Sequence, residues 1–270
     1  MLIDTHAHLA YEGLAGRIDD VISKAKANGV DKIISIGCFL NEAVRSLDLA
    51  SKYHEVYATV GLYPHDNGDD VERAMSMDER LDKVRELAKS PKIVAIGECG
   101  LDYSEPAPTE LARTKGEQET LFRRQIGIAR DLNLPVVIHS RRATEDTIRI
   151  LESELENGKF RAVQHCFSDN LEVAQKLISM GFMISLTATI TYPTGKDVAE
   201  AIKNVPLTSI MIETDSPFLV PHKERSAGVK LNEPCYVKMV AEKIAEIKGI
   251  SLDEVAEITT KNAQEFFKLV

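Results

Sequence analysis

The chain has 270 residues, 44% of them hydrophobic and 28% charged, with a formal net charge of −9. That composition is ordinary for a folded globular protein and excludes a disordered or low-complexity chain. Apolar runs stay short of the roughly 20 residues of a membrane helix. No basic, apolar and small-residue leader is visible, so the expectation is a cytoplasmic protein with no membrane contact.

Short apolar runs predict strands at Leu2–Thr5, Lys32–Gly37, Val56–Gly61, Ile93–Gly97, Pro135–Ile138, Ala162–Gln164, Met183–Leu186 and Ile210–Ile212. Between them, helical spacing predicts helices over Ile18–Ala27, Ala43–Lys52, Met77–Ala88, Leu111–Leu132, Ala143–Leu155, Leu171–Met180 and Val198–Lys203. Tyr236–Lys248 and Leu252–Lys268 add two C-terminal helices, and Ser251 with Glu254 has capping-box spacing. Strand and helix alternating about eight times predict an α/β fold of the (β/α)8 TIM-barrel class. The strands are continuously apolar, as strands covered on both faces are. Composition does not shift along the chain, which reads as a single domain over residues 1–270. The four cysteines show no C-x-x-C spacing and read as free thiols.

Chemistry gathers at the strand ends. In "MLIDTHAHLA", His6 and His8 stand two apart, so in a strand they share a face. The fourth strand leads into "GECGLDY" with Glu98, the fifth into "IHSRR" with His139, the sixth into "QHCFSD" with His165 and the eighth into "ETDSP" with Asp215. Carboxyl ends of strands in such a barrel open on one face, where active sites are built. A single histidine there is more often a structural hydrogen-bonding residue than a ligand. Recurrence in successive strand–helix units favours a metal centre instead. Four imidazoles and two carboxylates suit two divalent ions, with zinc, magnesium, manganese and nickel all compatible. Glu98 is placed to bridge them, and two such ions activate water for hydrolysis.

The stretches "DTHAHL", "GECGLDY", "LPVVIHSRRA", "QHCFSD" and "ETDSPFLVP", followed by "NEPCYVKMVAEKIAEIKGIS", resemble in order the TatD family of metal-dependent hydrolases within the amidohydrolase superfamily. The resemblance runs nearly end to end. It implies a TIM barrel, a two-metal site and, for members that are deoxyribonucleases, phosphodiester hydrolysis. It implies His6, His8, Glu98 and Asp215 around one metal, and Glu98, His139 and His165 around the other. Asp215 is then the residue that orients or deprotonates the attacking water. One departure stands out: where the family often reads GxHPH, this chain reads "GLYPH", with Tyr63 in place of the first histidine and His65 retained.

For substrate contacts, His65, Arg141 and Arg142 are the candidates, the arginines because their planar forks match phosphate. The competing reading pairs one arginine with Glu145. Lys223, Arg225 and Lys230 read as a solvated loop or a guide for a polyanion. Tyr103, Tyr192 and Phe218 read as packing or as stacking platforms for bases. The leading expectation is a DNase acting from a strand end, with DNA as its partner and no obligate protein partner. The alternative is a metallohydrolase of a small ester, lactone or amide, and the weakest is a metal-binding protein without turnover.

Overall fold

The computed structural model describes residues 1–269. Its strands are β1 (Leu2–Ala7), β2 (Val30–Ser35), β3 (Val56–Val60), β4 (Ile93–Asp102), β5 (Val136–Arg141), β6 (Ala162–Gln164), β7 (Met183–Leu186) and β8 (Ile210–Ile212). They follow chain order and alternate with helices, which is the (β/α)8 class read from the sequence. The chain divides into two compact units, Met1–Ser35 with residues from His165 onward, and Ile36–Gln164.

In the first unit β1 pairs with β2 and β7 with β8, both in parallel. An isolated parallel bridge between Ala7 and Ser216 draws the segment after β8 alongside β1. All six residues of β1 are buried. The helix Ile18–Ala27 buries Ile18, Val21, Ile22 and Ala25, the spacing of one helical face. Val237–Lys248 and Leu252–Phe267 close the chain as expected, the latter started by Ser251, whose hydroxyl accepts the Glu254 amide at 3.1 Å.

In the second unit β3, β4, β5 and β6 pair successively in parallel. β4 runs through Glu98 to Asp102, past the end expected at Gly97. Glycine makes this possible. Gly97 (φ +140) would carry a Cβ 2.6 Å from the Val137 carbonyl oxygen, and a Cβ on Gly100 (φ +149) would overlap the His139 carbonyl oxygen. Strands β4 and β5 therefore approach where a side chain would hold them apart.

The long helix of this unit is Lys115–Leu132, not Leu111–Leu132. Thr114 and Glu117 form a capping box that starts it, and Leu111 instead exchanges backbone bonds with Asp66, both 2.8 Å. Its buried face includes Leu121, Phe122 and Ile126, and burying one such side chain contributes roughly 1.5–3 kcal/mol. Two buried glutamines share that face. Gln125 clamps Leu62 through its amide (2.7 Å) and its carbonyl (2.9 Å). Gln118 does the same to Asp102, both bonds 2.9 Å. Apolar periodicity sees these positions only as gaps.

Candidate metal centre

In the first unit, His6 lies inside β1 and His8 one residue beyond it. Backbone bonds lock the segment after β8 onto them: Asp215 N donates to His6 O (2.9 Å) and His8 N to Ser216 O (2.7 Å). Asp4 adds a buried tie. Its carboxylate accepts the Thr214 amide (2.9 Å), the Thr214 hydroxyl (2.6 Å) and the His6 amide (3.3 Å). Burial outweighs these bonds and pushes its pKa up to about 8. The sequence reading passed over Asp4, because one polar residue in a strand carries no sign of burial.

The result is a cluster of donors. Asp215 Oδ1 lies 3.6 Å from His6 Nε2 and 3.4 Å from His8 Nε2. The His6 and His165 rings stack at 4.1 Å between centroids, 11° from parallel. One ligand atom from each of His6, His165 and Asp215 lies within 4.8 Å of the others, a donor set that fits a divalent cation. Burial raises the Asp215 pKa, but the hydrogen bond from His8 and the nearby imidazoles outweigh it and hold the carboxyl below its ordinary value. Asp215 therefore stays ionised at neutral pH, able to ligate a cation or accept a proton. His165 Nδ1 lies 3.4 Å from Glu213 Oε1, which also accepts the Cys166 amide at 2.7 Å. Glu213 thus lies against the His165 ring, a buried neighbour that sequence reasoning missed. Asp215 (φ 56) and Cys166 (φ 45) both occupy the left-handed region. Such conformations concentrate at functional sites.

In the second unit, His139 Nδ1 is 2.7 Å from Glu98 Oε1, so β4 and β5 bring these two expected residues together. Cys38 Sγ donates to the other Glu98 oxygen at 3.4 Å. His139 Nε2 lies 3.1 Å from Asp102 Oδ2, which also accepts the Tyr63 hydroxyl at 2.9 Å. Cys99 is fully buried, and burial pushes its thiol pKa up, so it packs. His65 is buried, and neither ring nitrogen has a hydrogen-bond partner among the described residues. Arg141 and Arg142 are exposed at the end of β5, with Arg142 at φ 54. Neither forms an ion pair among the described residues, so the pairing with Glu145 is absent there. Tyr103 is occupied by Asp146 (2.9 Å) and by Lys115 over its ring (3.9 Å), and Tyr192 donates to the Val220 carbonyl (2.8 Å). Phe218 stays 46% exposed, edge-on to His8 at 5.7 Å and to Tyr11 at 5.5 Å.

The model of the family described as TatD related DNase matches residues 3–268. The chain belongs to the TatD family. It is a metal-dependent hydrolase, as this TatD membership and its relatives show. It is 39% identical to the metal-dependent hydrolase YabD of Bacillus subtilis over 270 residues, all of both chains. It is 34% identical to the human deoxyribonuclease TATDN3, covering 98% of this chain and 94% of that one. Among solved structures, the TatD homologue YJJV of Escherichia coli superposes with a TM-score of 0.86 at 28% identity, covering 100% of this chain and 98% of the other. The TIM barrel expected from strand–helix alternation is thus shared with a TatD homologue over the whole chain. Among the described residues, no helix is long and apolar enough to cross a membrane.

Proposed function

We propose that this TatD protein is a DNase that hydrolyses phosphodiester bonds from a strand end, using two divalent ions of zinc, magnesium, manganese or nickel. The proposed ligands are His6, His8, His165 and Asp215 in the first unit and Glu98 and His139 in the second. The observation that carries the reading is the convergence of His6, His165 and Asp215 donor atoms within 4.8 Å. When bound, divalent ions lower the pKa of water and take up charge on phosphoryl oxygens.

The residues of the chain divide the remaining work. Asp215 accepts the proton of the attacking water at its carboxylate, which its imidazole neighbours keep ionised. Glu98, with one oxygen on His139 and the other on Cys38, holds the second donor set together. Arg141 and Arg142, exposed and free of ion pairs among the described residues, hold substrate phosphates through their planar forks. His65 offers a buried ring without a hydrogen bond, which a substrate oxygen or base edge would satisfy. Exposed Phe218 stacks on a base.

The test is removal and return of metal. Protein purified without chelator should contain divalent metal and release nucleotides from labelled DNA. Chelation should end that release, and one of the four ions should restore it. DNA cleavage that survives complete chelation would refute the reading.

A further inference from the structure

The environment of His139 holds a constraint of its own. Asp102 is 2% exposed, and its backbone is clamped on both sides by the Gln118 side chain. Its Oδ1 accepts the Ser104 amide (2.8 Å) and the Ser104 hydroxyl (2.5 Å). Its Oδ2 accepts the Tyr63 hydroxyl (2.9 Å) and faces His139 Nε2 (3.1 Å). A carboxylate only accepts, so the Nε2 proton of His139 is donated to it. On the far side of the ring, Nδ1 lies 2.7 Å from Glu98 Oε1. Two acceptors at that distance need a positive charge or a proton between them. A cation held by Nδ1 and Glu98 meets this need.

Tyr63 is held as firmly. Its amide donates to the Cys38 carbonyl (2.9 Å), and its own carbonyl accepts Arg113 Nη1 (2.8 Å). Its hydroxyl lies 3.1 Å from His139 Nε2 as well as on Asp102. Tyr63 is the position at which this chain departs from the GxHPH pattern.

We infer that Tyr63 and Asp102 are a positioning pair for His139. They hold its Nε2–H toward Asp102 and so leave Nδ1 as the metal-ligating nitrogen beside Glu98. This inference rests on His139 being a ligand, as proposed above. Carboxylate partners of ligating histidines fix tautomer and ring orientation, and their loss typically lowers metal affinity about 10–100-fold.

Asp102→Asn gives a test that a merely structural role would not pass. Ser104 donates twice to Oδ1, so the new amide keeps its oxygen there and turns its NH2 toward Tyr63 and His139. That NH2 donates to Nε2, moves the ring proton to Nδ1 and blocks the ligating nitrogen. The isosteric variant should therefore bind zinc less well than Asp102→Ala, the reverse of the order expected for loss of packing.

Zinc affinity is read by competition with a chromophoric chelator. The tautomer is read from the 15N-histidine spectrum of zinc-loaded protein, and melting curves check folding. Asp102→Asn should bind zinc about 10–100-fold more weakly than the parent. Tyr63→Phe should lose less, and the parent should show a proton on His139 Nε2. Parental zinc affinity in both Asp102→Asn and Tyr63→Phe, a greater loss in Asp102→Ala than in Asp102→Asn, or a zinc-loaded parent protonated at Nδ1 would overturn the inference. Parental zinc content and affinity in His139→Ala would instead show that His139 is no ligand, overturning the inference together with the reading beneath it.

Discussion

Asp215→Asn is the substitution that separates Asp215 as a base from Asp215 as a scaffold. The backbone should not notice the change. Asp215 sits at φ 56, and asparagine tolerates the left-handed region as well as aspartate does. The bonds that place the segment, Asp215 N to His6 O and Phe218 N to Asp215 O, both 2.9 Å, are made by the main chain. The side chain keeps its shape beside His6 Nε2 and His8 Nε2, at 3.6 and 3.4 Å in the parent, and loses only its charge and its capacity to take a proton. General-base contributions are about 10²–10⁴-fold, or about 2.7–5.4 kcal/mol of transition-state stabilisation. Turnover of an end-labelled single-stranded oligonucleotide at saturating metal should fall by that factor. Metal held through Glu98 and His139 in the second unit should remain, as elemental analysis would show. Parental turnover across pH 6–9 at saturating metal, in a variant that melts like the parent, would refute Asp215 as the base.

Replacing His6 and His8 together by alanine should lower the metal content per chain and leave the far-ultraviolet dichroism unchanged; unchanged content would remove both from the ligand set. Arg141→Ala with Arg142→Ala should weaken DNA binding and flatten its dependence on salt, by about 0.7 in slope for each lost contact to a single strand. A slope equal to the parent's would mean that neither arginine meets a phosphate. Asp66 gives a pH dependence for stability. Burial raises its pKa, but the hydrogen bond from Arg80 (2.8 Å) and the charge of Arg113 (3.2 Å) outweigh it and hold the carboxyl below its ordinary value. A depressed carboxylate stabilises the fold above its unfolded pKa of about 3.9, and that contribution fades as pH falls through the lower native value. The melting-temperature gap between parent and Asp66→Asn should therefore be constant from pH 5 to 7 and shrink toward pH 3. A gap that does not change with pH would show that the ion pairs contribute nothing.

The proposed ligands were legible because the strand pattern and the donor residues coincide. His6 with His8, Glu98, His139, His165 and Asp215 each follow or end an apolar run, and the alternation of runs implies the fold that gathers such ends. The residues around them were not legible. Asp4, Asp102 and Glu213 are single acids in or beside strands. Only parallel pairing and helix cover reveal that they are buried and aimed at Thr214, His139 and His165. Tyr63 was visible as a departure from the family pattern, but its contact with Asp102 depends on the parallel pairing of β3 with β4, which brings the segment after β3 beside the end of β4. The boundary errors have local causes. β4 continues because Gly97 and Gly100 let it run against β5, and the long helix starts late because Thr114 and Glu117 offer a better cap than any residue near Leu111. The short helix His222–Ser226 lies within a segment that read as a polar loop, since a helix so brief has no apolar periodicity to detect.

The most direct measurement sets DNA against small substrates with one metal-loaded preparation. Single- and double-stranded DNA labelled at the 3′ or 5′ end, RNA, and a panel of esters and lactones are each incubated with zinc, magnesium and manganese, beside Asp215→Asn protein. Nucleotide release from a DNA end that requires metal and is lost in Asp215→Asn is the expected result. Inactivity on every nucleic acid with all three metals, together with robust ester or lactone cleavage, would contradict it.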